Sequence, residues 1–180
     1  MKHKVTFVIG GCRSGKSSYA LNQADNISGK NKYFIATSVP TDTEMKERVH
    51  THQKERGRDW LTIEEPVLIH EAINRFSQQA DVILVDCLTL WVSNLMFAST
   101  PQKDFEQALL LLEEAFIKSK CPVFLVSNEV GFGIVPENKL ARKFRDLAGL
   151  VNQRVAAAAD RVVMTVAGID VQIKPKQDVC

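Results

Sequence analysis

Long apolar runs are missing from this sequence. Stretches such as Val82-Ile83-Leu84-Val85 fall far short of the ~20 residues that a membrane-crossing helix needs. The basic opening Met1-Lys2-His3-Lys4 leads into an apolar stretch too short for a signal peptide, so Val5–Ile9 is expected to form a first strand instead. One-sided charge is also lacking. The formal net charge is +2, and no block of five like charges occurs. Composition therefore makes no case for a nucleic-acid or membrane partner. The four cysteines, Cys12, Cys87, Cys121 and Cys180, include no C-x-x-C pair. Zinc is accordingly not expected. A cytoplasmic location with free thiols is expected. No internal repeat or low-complexity segment is present.

What is present suits an ordinary folded domain. A chain of 180 residues with 45% hydrophobic content can bury a full core, and one domain spanning 1–180 is expected. Strand and helix signals alternate along it. Strands are expected at Val5–Ile9, Tyr33–Ala36, Trp60–Ile63, Val82–Val85, Val123–Val126 and Val162–Val166, the last pairing with Val171–Ile173 through a turn at Gly168. Helices are expected at Ser17–Asn26, Asp42–Arg58, Val67–Phe76, Leu88–Phe97, Phe105–Lys118 and Leu140–Ala159. In the last, Leu140, Phe144, Leu147, Val151 and Val155 share one face. All-apolar strands separated by helices predict a mostly parallel sheet covered on both faces. Ligands of such sheets bind at the carboxyl ends of the strands. The loops after Ile9, Ala36, Val85 and Val126 lie there.

Between the first strand and the first helix runs Gly10-Gly11-Cys12-Arg13-Ser14-Gly15-Lys16-Ser17. It matches G-x-x-x-x-G-K-[ST], the phosphate-binding loop of nucleoside triphosphatases, in the right strand-to-helix context. Glycines let the backbone turn its N–H groups toward an anion, and the helix N-terminus adds its positive dipole end. Lys16 is expected to reach the β and γ phosphates and the Ser17 hydroxyl to hold Mg²⁺. Cys12 reads as a small residue in a tight loop. Asp86, closing an all-apolar strand, fits the carboxylate that supports Mg²⁺ in such sites. Taken alone, an aspartate after an apolar strand is often a helix cap.

A second informative stretch surrounds two histidines. On a helix, Met45, Val49, His52 and Arg56 fall on one face and His50 nearly opposite. At that spacing the two imidazoles do not share a helical face, and a metal pair is not expected. A histidine among apolar neighbours is more often a core residue, yet neutral imidazole is also a good nucleophile toward phosphorus. Arg56, one turn on, could neutralise phosphate charge.

The phosphate loop, Arg48–Trp60, Asn128-Glu129-Val130-Gly131-Phe132-Gly133-Ile134-Val135-Pro136-Glu137-Asn138, Arg142–Gly149 and Val151–Arg154 occur in this order. Together they resemble the bifunctional adenosylcobinamide kinase/adenosylcobinamide-phosphate guanylyltransferase family of cobalamin synthesis, over nearly the whole chain. The resemblance implies a P-loop NTPase (RecA-like) three-layer α/β fold with a mostly parallel central sheet. It implies phosphorylation of the aminopropanol hydroxyl of adenosylcobinamide by a nucleoside triphosphate, ATP or GTP. GMP transfer from GTP then yields adenosylcobinamide-GDP through a GMP–histidine intermediate. Ungapped alignment of Arg48–Trp60 places that histidine at His52. The family also implies nucleotide contacts at Ala36, Thr37, Ser38, Gln53, Lys54, Glu55, Arg56, Glu64 and Asp86, with Ser17 and Asp86 on Mg²⁺. It further suggests a homotrimer with sites shared between neighbouring subunits.

Two departures stand out. Cys12 occupies a position where alanine is usual in the family, and Gly57 replaces a frequent proline. Two alternatives use fewer of these residues. A single-activity P-loop small-molecule kinase would use the loop and Asp86 and leave His52 idle. A regulatory nucleotide binder would turn nothing over.

Overall fold

The all-apolar runs at 82–85 and 123–126 become neighbouring interior strands of one sheet, whereas the run at 108–112 is helical. The computed structural model describes residues 4–39, 59–98 and 105–175. Its elements run β1 (Val5–Gly10), α1 (Lys16–Asp25), β2 (Lys32–Ala36), β3 (Trp60–Glu64), α2 (Ile69–Phe76), β4 (Val82–Asp86), α3 (Leu88–Phe97), α4 (Phe105–Lys118), β5 (Val123–Asn128), α5 (Lys139–Ala158), β6 (Arg161–Val166) and β7 (Ile169–Lys174). The helix expected over Asp42–Arg58 falls outside the described residues.

The seven strands are ordered β3-β2-β4-β5-β1-β6-β7. All neighbours are parallel except the β6–β7 pair. Ala167 and Gly168 link that pair with φ of 52° and 83°, the left-handed pair a tight two-residue hairpin turn requires.

Side chains alternate across this sheet with a period of two, and the alternation divides the core. Val8, Phe34, Ala36, Val82, Leu84, Phe124 and Val126 face Ala20 and Ala24 of α1. Phe7, Ile35, Ile83, Val85, Val123 and Leu125 face the other way, into a larger core with Ile69, Trp91, Leu112, Phe116 and Val151 from α2 to α5. Helices therefore cover both faces, as the apolar strands predict. On the larger side α4 and α5 are also joined by charge. Arg154 on α5 donates from Nε and Nη2 to the two carboxylate oxygens of Glu113 on α4. The pairing with Glu113 raises the Arg154 pKa.

Two local boundaries differ from expectation. The helix expected from Val67 begins at Ile69, because Pro66 precedes it and the Glu65 carboxylate accepts from the N–H groups of Val67 and Leu68. The apolar stripe of α5 is buried at Val151 and Val155, partly buried at Phe144 and Leu147, and 49% exposed at Leu140. The first turn of α5 is largely exposed. It is capped by the Asn138 side chain, which accepts from Leu140 and Ala141 N–H at 2.8 and 3.1 Å.

Candidate nucleotide-binding active site

The phosphate loop leaves the end of central strand β1, flanked by β5 and β6. Gly15 takes φ 95° as the N-cap of α1, a conformation that favours glycine. Arg13 is also left-handed, at φ 54°, a strain of the kind that clusters at ligand-binding turns. Gly10 is required by proximity. A Cβ there would lie 2.5 Å from both Ser14 Oγ and Thr165 Oγ1 and 2.6 Å from the Thr165 carbonyl oxygen.

The loop's carbonyls are bound from several sides. Glu129 N–H donates to Gly10 O at 2.9 Å, and Gly168 N–H to Ser14 O at 2.9 Å. The Lys16 ammonium, on a largely buried side chain, donates to Gly11 O at 3.1 Å. Ser14 and Thr165 share a buried hydroxyl–hydroxyl bond of 2.7 Å. The first turn of α1 has no side-chain cap and no acidic residue. Its leading N–H groups and dipole are thus disposed to receive an anion.

The acidic positions lie on the same face of the sheet. In register, Glu64 stands beside Ala36, Ala36 beside Asp86, Asp86 beside Val126, and Val126 beside Val8. Ala36, Val126 and Val8 pack beneath α1. Glu64 and Asp86 therefore project to the α1 side at the carboxyl edge, Glu64 exposed and Asp86 partly buried. Thr37 and Ser38 continue from β2 at that edge. The Thr37 hydroxyl accepts from Cys87 N–H at 2.7 Å and donates to Cys87 O at 2.8 Å. Thr37 N–H donates to Asp86 O at 3.1 Å. Asp86 is thus held on a clamped backbone.

Residues to which the sequence assigned no individual role complete this edge. Asn94 donates to Thr37 O and Pro66 O at 2.8 and 2.9 Å. The Thr89 hydroxyl is shared by Cys87 Sγ, Asn128 N–H and Asn128 Nδ2. Asn152 on α5 donates to Asn128 O at 3.1 Å. Burial, reinforced by Asp86, pushes the Cys87 thiol pKa up, which keeps this network neutral. Thr89 and Asn94 signal only a polar residue in an otherwise apolar helix, a common pattern, and Asn128 and Asn152 lie in segments that carry the resemblance without a stated role.

The geometry thus gathers Gly10, Gly11, Cys12, Arg13, Ser14, Gly15, Lys16 and Ser17 with Ala36, Thr37, Ser38, Glu64 and Asp86 along one edge. His52, Gln53, Lys54, Glu55 and Arg56 lie outside the described residues, as does Gly57. Cys12, Cys87 and Cys121 are free thiols, Cys12 exposed.

Known proteins resemble this chain in sequence over most of its length and, more distantly, in fold. A sequence profile of the family described as cobinamide kinase / cobinamide phosphate guanyltransferase matches residues 6–173. The bifunctional adenosylcobalamin biosynthesis protein CobU of Escherichia coli is 42% identical over 179 residues, covering 93% of this chain and 98% of the relative. The Salmonella typhimurium protein of the same name is 44% identical over 182 residues, with the same coverage. CobP of Pseudomonas aeruginosa is 39% identical over 168 residues, covering 93% of this chain and 95% of its own length. Among solved structures, the flagellar accessory protein FlaH of Methanocaldococcus jannaschii superposes with a TM-score of 0.53 at 13% identity, over 96% of this chain and 79% of that one. The ATPase domain of G40P gives 0.52 at 10% identity, over 90% and 69%. These distant likenesses show the fold, that of RecA-like P-loop NTPases.

Proposed function

This chain belongs to the cobinamide kinase / cobinamide phosphate guanyltransferase family, and on that premise we propose how one phosphate cradle serves two successive transfers. The protein is a bifunctional adenosylcobinamide kinase and adenosylcobinamide-phosphate guanylyltransferase of cobalamin biosynthesis. We assign the whole of 1–180 to one catalytic domain. The observation that carries the mechanism is the uncapped, acid-free N-terminus of α1 behind a loop whose carbonyls are bound elsewhere.

In the kinase step the loop N–H groups and Lys16 hold the triphosphate of ATP or GTP. The aminopropanol hydroxyl attacks the γ-phosphorus, the bridging P–O bond breaks, and the nucleoside diphosphate leaves. Alignment carries this step, and no covalent enzyme intermediate is needed. In the guanylyl step an imidazole nitrogen of His52 attacks the α-phosphorus of GTP. The bond between the α and β phosphates breaks and pyrophosphate departs, its charge balanced by Lys16. A phosphate oxygen of adenosylcobinamide phosphate then attacks the phosphoramidate. The P–N bond breaks, giving adenosylcobinamide-GDP and free imidazole. Ala36, Thr37, Ser38, Gln53, Lys54, Glu55, Arg56 and Glu64 are assigned to nucleotide contacts.

The donor set fits Mg²⁺. Ser17 offers a hydroxyl and Asp86 a carboxylate, and among the described residues no cluster of three His, Cys, Asp or Glu could enclose a metal. Mg²⁺ typically takes one or two protein oxygens and completes its shell with water and phosphate. When bound it supplies charge neutralisation on the phosphates.

A homotrimer in the cytoplasm belongs to the same reading. Edge strand β7 supports the assembly, with Ile169, Val171 and Ile173 exposed at alternate positions. A reducing compartment would keep Cys12, Cys87 and Cys121 as thiols. The test is to incubate the protein with adenosylcobinamide, GTP and Mg²⁺ and weigh the products. Masses for the phosphate and the GDP derivative are expected. Turnover that stops at the phosphate would refute the second transfer.

A further inference from the structure

The loop between β5 and α5 carries the two most exposed large apolar side chains among the described residues. Ile134 is 96% exposed and Phe132 82%, with Val135 at 60%. Connecting loops are usually polar, and a contiguous apolar tip marks a surface that meets a partner.

This tip is held in place. At its root Glu129 N–H bonds to Gly10 O, and the Glu129 carboxylate accepts from Gly131 N–H. Arg145 donates to Gly133 O and Ile134 O at 3.4 and 3.2 Å. Arg142 donates to Pro136 O at 3.0 Å and to Glu137 O. Asn138 caps α5 just beyond. Phe132 and Ile134 therefore stand outward on a fixed backbone. Gly133 between them has no left-handed φ, and a Cβ there would meet nothing within 4 Å. The chain's own packing makes no use of that glycine, which leaves an open backbone for close approach from outside.

We propose that Phe132, Ile134 and the bare backbone at Gly133 dock the corrin ring of the acceptor. The proposal rests on the kinase and guanylyltransferase reading above. A corrin is a broad apolar macrocycle rimmed with amides, and an apolar platform flanked by peptide groups matches both parts. Position selects this occupant. The loop is rooted on Gly10, the first residue of the phosphate cradle, and register places Asn128 opposite Gly10. An acceptor whose hydroxyl must reach the γ-phosphate has to rest beside that cradle. A second copy of the chain has a separate apolar surface available at Val166, Ile169, Val171 and Ile173.

The test uses the full chain with the double variant Phe132→Ser/Ile134→Ser. Ile117→Ser, a half-exposed site on α4, is the control. The Kd for adenosylcobinamide should rise about tenfold or more, in line with losing two buried apolar contacts. GTP affinity, oligomeric mass by light scattering and the control's Kd should match the parent. A double variant that binds adenosylcobinamide as the parent does would overturn the assignment. So would a weaker Kd accompanied by loss of the oligomer, because the tip would then belong to a second copy. A parent chain that fails to bind adenosylcobinamide would refute the acceptor reading itself.

Discussion

Ser14 and Thr165 lie 151 positions apart in the chain and 2.7 Å apart at their hydroxyl oxygens. Through this bond the β6–β7 hairpin supports the phosphate loop, and Gly168 N–H adds a second tie to Ser14 O. Thr165→Val keeps the shape and removes the partner, leaving a buried Ser14 hydroxyl unsatisfied. Stability should fall by about 1–3 kcal/mol, and nucleotide affinity should weaken with it. Urea unfolding with and without GTP measures both. Parent-like values for both would mean the hairpin does not shape the loop.

Thr37 supports Asp86 in a comparable way. Its side chain both accepts from and donates to the backbone of Cys87, and the residue is fully buried. Thr37→Val leaves the buried Cys87 N–H unpaired, while the Cys87 carbonyl keeps its bond from Trp91 N–H, and should cost about 1–3 kcal/mol. A larger Mg²⁺ requirement for turnover is expected alongside the lower midpoint. Unchanged Mg²⁺ dependence would detach Thr37 from the placement of Asp86.

Lys16 is assigned to both transfers. Lys16→Ala should lower the kinase and guanylyl rates together, each by roughly 10²–10³-fold as for loss of a charge-stabilising donor. Separate assays of phosphate formation and of pyrophosphate release give the two numbers. A normal kinase rate would contradict the assigned role.

The thiols predict a pH dependence. Burial raises the pKa of Cys87, with Asp86 adding to it, and burial likewise raises Cys121. Tyr19 moves the same way, mainly by burial, with Arg161 opposing and Asp170 reinforcing. Each folded value lies above the unfolded one. The stability these thiols contribute is therefore complete below the unfolded thiol value, about 8.5, and is lost as pH climbs from there through the folded values. The melting temperature should fall between pH 8 and 10, and a flat profile would contradict this. Near pH 7.5 maleimide should modify exposed Cys12 before buried Cys87 and Cys121. Peptide mapping reads this order, and bound GTP should slow the Cys12 reaction.

Local patterns in the sequence were enough to read much of this protein. All-apolar strands such as Val82–Val85 announce burial on both faces, and the phosphate loop fits only one backbone path. Strand order was not readable, because which strand flanks β1 depends on contacts between distant residues. The Ser14–Thr165 and Gly10–Glu129 ties were hidden for the same reason. Thr89 reads as an ordinary polar residue, and its bonds to Asn128 depend on the fold bringing the two together. Leu140 shared the helical period of Val151 and Val155, but periodicity does not say how far the sheet extends beneath a helix.

The guanylyl transfer assigned to this protein depends on a covalent bond between GMP and His52. The parent protein incubated with α-labelled GTP and Mg²⁺ should retain acid-labile, base-stable label. His52→Ala should retain none while still phosphorylating adenosylcobinamide. Full label on His52→Ala would show that another residue is the nucleophile.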